Sequence, residues 1–255
     1  MTKEKIKEIF YRQMEKDFCC KKEDLFTGNN VFVQRELLEG RRRFRSDEAL
    51  LRVLCINGKA VYSAEANLLE KCRSAFIEKN NAWFSDFNNL KEIDALLRER
   101  GQYLSYFHHF YLPLGKEALS EEELDKLQQQ YEIIWYEKED IEAFRGDGRF
   151  RNAYSFLENA PDMLGVSASL NGQILGMSGA SRDSEEMWQI GIDVLPESRG
   201  RQIGPLLTIL LKREILKRGK LPFYGTAESH IQSQKVAVKS GFLPAWAELQ
   251  SDNLA

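Results

Sequence analysis

The chain has 255 residues, of which 43% are apolar and 29% are charged, and its formal net charge is −3 at pH 7. That length accommodates one large domain or two small ones, with a core that needs no disulfides. No apolar run approaches the roughly 18 residues of a membrane span. The first residues lack the apolar core of a signal peptide, and the net charge gives no general reason to expect a nucleic-acid partner. We therefore expect a cytoplasmic protein without a membrane partner.

The cysteine and histidine content argues against a disulfide framework and against a metal site. Cys19, Cys20, Cys55 and Cys72 all lie in the first third of the chain, and they form no Cys-x-x-Cys pair. Only three histidines are present. We expect reduced thiols that pack as small apolar side chains, and no bound metal.

The first half of the chain predicts an α+β domain over residues 1–128. Helices are expected over residues 3–17, 65–79 and 88–100, and strands over 31–33, 49–56, 59–62 and 103–111. The Asn57-Gly58 pair predicts a hairpin turn. No motif here assigns a chemistry, so this domain is expected either to cover the substrate side of a neighbouring site or to form the surface of a homodimer.

Two features of this half allow both a functional and a structural interpretation. The run Arg41–Arg43, with Arg45 close by, could bind phosphate or nucleic acid, although short basic runs are usually solvated turns. The pair His108-His109 could transfer protons, but neighbours on a strand point to opposite faces. We favour the structural interpretation for both and expect no nucleic-acid partner.

The second half, residues 129–255, predicts a regular run of strands. One strand is expected over residues 131–136, and three consecutive antiparallel strands over 163–170, 173–180 and 187–194. The pair Asn171-Gly172 predicts a type I′ turn between the first two strands of this meander.

A loop of charged and small residues then leads into a helix. Apolar residues share one face over residues 203–215, Pro205 suits the first turn, and Gly219 suits the carboxyl end. The start of a helix presents unpaired N–H groups and about half a positive charge, and Arg199 and Arg201 add mobile charge. The glycine spacing fits neither a Walker loop nor a dinucleotide fingerprint. This junction therefore predicts a binding site for a diphosphate.

The remaining elements complete an informative order. A strand is expected over residues 221–227, a helix over 231–239 and a final strand over 242–249. The order is strand, strand, strand, loop-helix, strand, helix, strand. With Arg199-x-x-x-x-Gly204 before the first helix and Lys239-x-Gly-Phe after the second, it resembles the GNAT superfamily of acyl-CoA-dependent N-acyltransferases.

The resemblance covers about residues 131–250, and the segment from residue 228 to residue 246 narrows it to a bacterial subfamily with an extra N-terminal domain. It implies an α+β (mixed α/β) fold with a central twisted, mixed, mostly antiparallel sheet flanked by helices. Residues 129–255 would then form the acetyl-CoA-binding catalytic domain, preceded by the smaller α+β domain.

The resemblance also implies acetyl-CoA (coenzyme A) as the cosubstrate, without a metal. In the family, the two strands that match residues 187–194 and 221–227 separate from each other. The pantetheine arm of CoA pairs with the strand that matches residues 187–194. The loop that matches residues 199–204 holds the diphosphate. The residues implied in cofactor binding are Ile192, Asp193, Val194, Arg199, Gly200, Arg201, Gln202, Ile203, Gly204, Ser229, His230 and Ser233. Gln202 stands where the family usually has a glycine, and its side chain either crowds the phosphates or donates a hydrogen bond to them.

Catalytic positions follow from the same resemblance. Glu228, at the end of a strand, is the first candidate for the general base, ahead of Asp193 and Glu186. His230 stands where the family often has an asparagine; it binds the cofactor, acts as an acid or base, or only caps the helix. The family's usual tyrosine proton donor is replaced by Ala237. Ser233 is either its substitute or a packing residue.

Two functions from different classes remain open. The first is an N-acetyltransferase that transfers an acetyl group from acetyl-CoA to a primary amine of a small molecule, by direct attack on the thioester. The alternative is a non-catalytic acyl-CoA-binding sensor or interaction module, which Gln202 and Ala237 support. A third function, nucleic-acid modification, rests only on the basic run near residue 42. We favour the enzyme.

Overall fold

The computed structural model of the protein describes residues 1–43 and 47–254. The α-helices are α1 Lys3–Phe18, α2 Ala66–Phe76, α3 Phe87–Arg98, α4 Glu121–Gln130, α5 Lys138–Ile141, α6 Ile203–Lys217 and α7 Ile231–Lys239. The β-strands are β1 Val31–Gln34, β2 Leu51–Ile56, β3 Lys59–Ala64, β4 Gln102–Leu112, β5 Glu132–Glu137, β6 Asp162–Leu170, β7 Gln173–Arg182, β8 Met187–Val194, β9 Leu221–Ala227 and β10 Leu243–Asn253. Each helix and strand expected from the sequence is present, with differences confined to the end residues.

The chain forms two compact units. Unit 1 comprises Met1–Ile6 and Tyr111–Pro244, and unit 2 comprises Lys7–Phe110 and Ala245–Ala255. The sequence predicts a domain boundary after residue 128, with all later residues in the second domain. In the structure, most of β10 belongs to unit 2 instead, because it pairs antiparallel with β2, with Ala247 opposite Cys55.

Unit 2 contains a sheet with the strand order β1-β3-β2-β10-β4. β1 pairs parallel with β3, and β3 pairs antiparallel with β2 through the Asn57-Gly58 turn. Both turn residues have positive φ (53° and 77°), as the predicted hairpin requires. Helices α2 and α3 contribute Phe76 and Leu97 to an apolar core around the buried Tyr62. All four cysteines are free thiols, as predicted.

The basic run near residue 42 is not a solvated turn, which corrects the sequence interpretation. Arg42 is 8% exposed and forms ion pairs with Asp17 and Glu248. Arg41 pairs with Asp47, and Arg45 lies outside the described residues. Burial of a guanidinium requires paired carboxylates, so Arg42 serves the interior of unit 2.

The two neighbouring histidines of β4 lie against different aromatic rings. His108 is 4.8 Å from the ring centre of Tyr106, and His109 is 5.8 Å from that of Phe107. Because residues two apart share a face of a strand, the two imidazoles lie on opposite faces, as predicted. Both are half-buried.

Unit 1 contains a sheet with the strand order β9-β8-β7-β6-β5. The ladders from β5 to β8 are antiparallel, and β8 pairs parallel with β9. Asn171 and Gly172 have φ values of 52° and 76°, which confirms the predicted turn between β6 and β7. The sheet is therefore mixed and mostly antiparallel, as expected.

Apolar side chains cover both faces of this sheet. On one face, α6 is buried through residues such as Leu206 and Ile215, and α7 adds Ala237 to the same cluster. A second cluster forms around Met177 of β7, with Ile141 of α5 and the buried ring of Tyr154. The sheet is thus flanked by helices, and the loop of residues 195–202 joins β8 to the amino end of α6.

Candidate active site

Strands β8 and β9 pair along only part of their lengths. The parallel pairing runs from Met187 opposite Leu221 to Ile190 opposite Tyr224. Within the described chain, β8 continues to Val194 and β9 to residue 227 without pairing to each other. We call the opening beyond the last pair the β8–β9 gap. The predicted separation of these strands is confirmed.

The backbone of β8 presents two residues to this gap. Leu195 donates its N–H to the carbonyl oxygen of Leu175 on β7 at 2.9 Å. Because backbone groups alternate sides along a strand, Val194 and Ile192 direct their N–H and C=O groups away from β7, toward the gap. The backbone of Asp193 faces β7 and is used within the sheet. Its predicted role in pairing with pantetheine is therefore corrected.

The amino end of α6 offers unpaired amides. The first intrahelical bond runs from the N–H of Leu206 to the carbonyl oxygen of Gln202 at 3.0 Å. Earlier amides of the helix have no intrahelical acceptor, and Pro205 has no N–H to satisfy. Residues 199–202 are all exposed. This end combines N–H groups, the positive end of the helix dipole and the charges of Arg199 and Arg201, which together favour an anion.

Two residues of the loop before α6 have left-handed backbone conformations. Gly200 has φ 82° and Gln202 has φ 62°. A glycine adopts this region freely, whereas a residue with a Cβ loses about 1 kcal/mol there. The Gln202 side chain forms no capping hydrogen bond and is exposed, so its amide is free to donate to an anion at this corner.

Gly204 has a packing role that the sequence did not indicate. A Cβ added to this residue would lie 3.3 Å from Val236 of α7 and 3.6 Å from Val194. The absence of a side chain at Gly204 therefore serves the packing of α6 against α7 and β8. A bulky substitution there would disturb the core as well as any anion site.

The turn between β9 and α7 carries three of the predicted site residues. Glu228, Ser229 and His230 are all exposed. His230 occupies the N-cap position of α7, but its side chain forms no capping hydrogen bond. Gln234 donates from Nε2 to the carbonyl oxygen of Glu228 at 2.6 Å and fixes the turn. The geometry leaves the Glu228 carboxylate and the His230 imidazole directed to solvent beside the end of β9.

Ser233 is bonded to a buried tyrosine. Its Oγ lies 2.9 Å from the phenolic oxygen of Tyr224, which is 2% exposed. Ala237, where the family usually has its proton donor, is fully buried in the core around α6. The structure therefore places a hydroxyl pair between β9 and the first turn of α7, and no polar group at residue 237.

The Asp193 side chain holds a neighbouring segment and is not a free base. One carboxylate oxygen accepts from the backbone N–H of Asn152 at 2.8 Å and from that of Ala153 at 3.0 Å. The other accepts from Asn152 Nδ2 at 2.6 Å. These three bonds fix residues 152–153 on β8. These contacts favour a structural role for the Asp193 carboxylate over that of a general base.

Three aligned glycines make room for the same segment. Gly165 lies opposite Gly179, and Gly179 lies opposite Gly191, so the three form a row of paired residues across β6, β7 and β8. A Cβ added at any of the three would lie 1.7–2.1 Å from an atom of residues 152–154. The backbone of that segment therefore lies directly on the sheet.

Two further properties concern the described residues as a whole. Among residues 1–43 and 47–254, no three His, Cys, Asp or Glu side chains converge in a way that could hold a metal ion. In the same residues, no helix has both the length and the apolar character that crossing a bilayer requires.

The comparison with protein families agrees with this geometry. Residues 121–242 match the model of the acetyltransferase (GNAT) family. This part of the chain is therefore a GNAT acetyltransferase domain, and it contains β5 to β9, α6, α7 and the β8–β9 gap. The search of curated proteins found no match.

Solved structures with similarity to the chain include acetyltransferases of the same family. A GCN5-related N-acetyltransferase-like protein from Streptococcus suis is 17% identical, with 96% of this chain and 99% of that chain covered and a TM-score of 0.49. A GNAT-family acetyltransferase from Colwellia psychrerythraea is 13% identical, with 99% and 97% covered and a TM-score of 0.43. The yncA protein of Salmonella typhimurium, solved with its cofactor acetyl-CoA, is 14% identical, with 49% and 95% covered and a TM-score of 0.37. The family assignment rests on the family model and on the observed fold.

Sequence reasoning missed two parts of this site. Tyr224 is predicted only as part of a strand, because the family resemblance points to α7 for the proton donor. The glycines at 165, 179 and 191 lie far apart in the chain, and each lies within one strand of the same meander. An unexplained glycine in a strand is a signal of close backbone approach, and it could have indicated the segment at 152–154.

Proposed function

We propose that the protein transfers the acetyl group of acetyl-CoA to a primary amine of a small molecule. The observation that carries this proposal is the β8–β9 gap, which ends beside the exposed amino end of α6. An extended arm with amide groups fits the unpaired backbone of Ile192 and Val194, and its diphosphate fits the amides and arginines before α6.

The residues at this site support direct transfer between thioester and amine. A backbone N–H of β8 in the gap can donate to the thioester carbonyl oxygen, where negative charge develops as the amine attacks. No covalent intermediate with the protein is needed, because alignment of the two reactants supplies most of the rate enhancement. Acetyl-CoA supplies the activated acetyl group.

Glu228 is the proposed general base. The attacking nitrogen must lose a proton, and a carboxylate is a suitable acceptor when it lies at the acceptor end of the cleft. The Glu228 carboxylate is exposed at the end of β9, just beyond the gap. His230, two residues later, is the second candidate and supports the same step.

The proposal is tested with a panel of primary amines and acetyl-CoA. Release of free CoA thiol is recorded, and the acetylated product is identified by mass spectrometry. We expect at least one amine to give stoichiometric thiol and N-acetyl product, and Glu228→Gln to lower kcat with little change in the Kd for CoA. The same panel with the Lys217→Glu variant, changed at the far end of α6, serves as the control.

The alternative is an acyl-CoA sensor without turnover. It is favoured by two observations, the side chain at Gln202 in the anion loop and the buried alanine at residue 237. Saturable CoA binding without thiol release on any amine would support the sensor and contradict the enzyme.

A further inference from the structure

Strand β5 is the outermost strand of the sheet in unit 1. It pairs with β6 on one side, and within the described residues no strand pairs with its other side, which we call the open edge. Ile134 and Trp135 of this strand are 36% and 40% exposed. Proteins usually protect such an edge with charges, a proline or a bulge, because it can template a further strand. The stretch from Ile133 to Tyr136 carries none of these, and its register with β6 is regular.

The alternation of backbone groups can be followed across the sheet to β5. Arg182 of β7 donates its N–H to the carbonyl oxygen of Pro161, directly before β6, at 2.9 Å. Even-numbered residues of β7 therefore bond toward β6, and one of them, Ser178, lies opposite Val166. Even-numbered residues of β6 near Val166 thus bond to β7, and their odd-numbered neighbours bond to β5.

This alternation identifies the backbone groups at the open edge. Ser167 of β6 lies opposite Ile134, so Ile134 and Tyr136 use their N–H and C=O groups within the sheet. Ile133 and Trp135 direct theirs away from β6. Two residues of β5 therefore present a donor and an acceptor each to the open edge.

The N–H groups at the two ends of β5 already have acceptors. Tyr131 donates to the carbonyl oxygen of Leu127 at 3.1 Å, and the N–H of Glu137 donates to Asp140 Oδ2 at 3.0 Å. Neither bond goes to β6, which agrees with the alternation along the strand. A strand added at the open edge would therefore find its donors at residues 133 and 135.

One symmetric antiparallel register of two β5 strands pairs all of these groups. A two-fold axis at Ile134 places Ile133 of one copy opposite Trp135 of the other, and each such pair forms two hydrogen bonds. An axis at residue 133 or 135 would need the N–H of Tyr131 or Glu137, which is already bonded. An axis between two residues would set outward groups of one copy against groups of the other that face β6.

The side chains suit the same register. Ile134 of one copy faces Ile134 of the other, and Trp135 faces Ile133, so exposed apolar side chains meet apolar partners. Glu132 lies opposite Tyr136. The Glu137 carboxylate is bound within its own copy by Arg218, whose Nη1 lies 2.9 Å from Oε2. No carboxylate of β5 lies opposite another in this register.

The outermost strand of unit 2 differs from β5 in this respect. β1 has only four residues, and Arg73 of α2 donates from Nη2 to the carbonyl oxygen of Phe32 at 3.4 Å. A short strand whose edge is contacted by a cationic side chain is protected against further pairing. The self-complementary edge is therefore a property of β5.

We propose that two copies of the chain associate through β5, which joins their unit 1 sheets into one continuous sheet across a two-fold axis at Ile134. The sequence-based expectation placed a homodimer surface within residues 1–128, whereas this proposal assigns it to unit 1. It does not depend on the proposed acetyl transfer. Because one short strand forms a small interface, we expect a dissociation constant in the micromolar range.

Sedimentation velocity of the full-length protein tests the association. Between about 1 µM and about 500 µM we expect a change from monomer to dimer. Ile134→Lys should remain monomeric throughout, because two ammonium groups would meet at the axis. Ile77→Lys makes the same change at an isoleucine of unit 2 that is 46% exposed, and it should dimerise like the wild type. Circular dichroism checks that both variants are folded.

Hydrogen exchange at low and high protein concentration tests the strand and its direction without a substitution. The amides of Ile133 and Trp135 should exchange more slowly at high concentration, because they are bonded only in the dimer. The amides of Ile134 and Tyr136 should be protected at both concentrations, because they are bonded to β6 in each copy.

Cysteine cross-linking tests the register. Opposed residues of a non-hydrogen-bonded pair have Cβ atoms about 4.5–5.5 Å apart, so Ile134→Cys should give a disulfide-linked dimer under mild oxidation. Trp135→Cys should not, because residue 135 faces residue 133 of the other copy. The wild type, oxidised in the same way, controls for its four free thiols.

Three results would overturn the proposal. A wild-type protein that stays monomeric, with rapid exchange at Ile133 and Trp135 at every concentration, would leave the edge to an extended segment of another protein. A dimer that survives Ile134→Lys would be formed by another surface. Equal cross-linking of Ile134→Cys and Trp135→Cys would contradict the axis at Ile134.

Discussion

At the scale of single residues, Gln202 shows a conflict between backbone conformation and side chain. Its φ of 62° is one that glycine adopts without strain, and the residue stands directly before the first turn of α6. The side chain is exposed and forms no capping hydrogen bond that would offset this strain. Strained residues are common at binding sites, which fits the proposed contact between the Gln202 side chain and a ligand at this corner.

Gln202→Gly should stabilise the protein by up to about 1 kcal/mol, because glycine relieves the left-handed strain. The free energy of unfolding is measured by urea denaturation, and the affinity for CoA by calorimetry. We expect affinity to fall if the amide donates to the diphosphate and to rise if it obstructs the loop. Gln232→Gly, which removes the same side chain from a right-handed helix, should instead destabilise by about 0.5–1 kcal/mol. Destabilisation by Gln202→Gly would contradict the strain argument.

Asp193→Asn tests whether this carboxylate is structural. The substitution replaces one acceptor oxygen by an NH₂ group that faces the donors of residues 152–153, so we expect a loss of about 1–3 kcal/mol of stability. Hydrogen exchange should become faster at the amides of Asn152 and Ala153. A general base would respond differently, with unchanged stability and exchange and a large decrease in kcat at neutral pH.

At the scale of elements, the amino end of α6 is the feature on which the proposed binding of CoA depends. Its amides are fixed by the helix, whereas Arg199 and Arg201 add charge from an exposed loop. The contribution of the arginines is therefore the part that salt can screen. Gly204 is unsuitable as a probe, because its substitution disturbs the contact with Val236.

Arg199→Glu combined with Arg201→Glu should weaken CoA binding by at least an order of magnitude, because negative charge then faces the diphosphate. The affinity of the wild-type protein should also fall as salt is raised, and that dependence should be smaller in the variant. Binding is measured by calorimetry at several salt concentrations. Lys217→Glu makes a single charge reversal, half the change of the double variant, at the carboxyl end of α6, where the side chain is 80% exposed. Equal affinities of all three proteins would show that the diphosphate is bound elsewhere.

At the scale of the whole molecule, unit 2 contains a buried charge network. Glu248 pairs with Arg42 and Arg52 and accepts from Trp246 Nε1 at 2.6 Å. Burial alone would raise the pKa of Glu248, but the two guanidinium groups lower it to about 2. Because this carboxyl titrates near 4.3 in an unfolded chain, its ionisation stabilises the fold above that pH.

The free energy of unfolding should therefore decrease as pH falls from about 5 toward 2. In this range Glu248 takes up a proton in the unfolded chain but not yet in the folded protein, so acid favours the unfolded chain. Glu248→Gln should cost about 3–5 kcal/mol at pH 7, because it removes the carboxylate that pairs with Arg52 and leaves Arg42 with Asp17 alone, and it should flatten the pH dependence in this window. Glu122→Gln, in an exposed ion pair of α4, should change stability by less than about 0.5 kcal/mol. Urea denaturation at pH 3, 5 and 7 measures all three proteins.

The local order of elements could be read from the sequence because each element carries its own signal. Asn171-Gly172 and Asn57-Gly58 specify turns by φ, and the apolar face of α6 specifies a helix by its period. The β8–β9 gap was expected only through the family resemblance, and the structure confirms it at Ile190 and Tyr224.

Long-range pairings could not be read in this way. Arg42 looked like a solvated residue because its partner Glu248 is 206 positions away. The role of Asp193 depends on Asn152, and that of Tyr224 on Ser233; neither pair has a local pattern in the chain. The predicted domain boundary differs from the observed division into units for the same reason, because β10 pairs with a strand almost two hundred residues earlier in the chain.

The position of β10 also sets an order of assembly during synthesis. In the sheet of unit 2 this strand lies between β2 and β4, yet its residues follow the whole of the Tyr111–Pro244 segment. A ribosome therefore delivers every strand of the acetyltransferase sheet from β5 to β9 before it delivers the strand that completes the other sheet. The edge of β2 that pairs with β10 therefore stays unpaired until β10 has been synthesised. The sheet of unit 2, most of which is translated first, is thus the last to be completed.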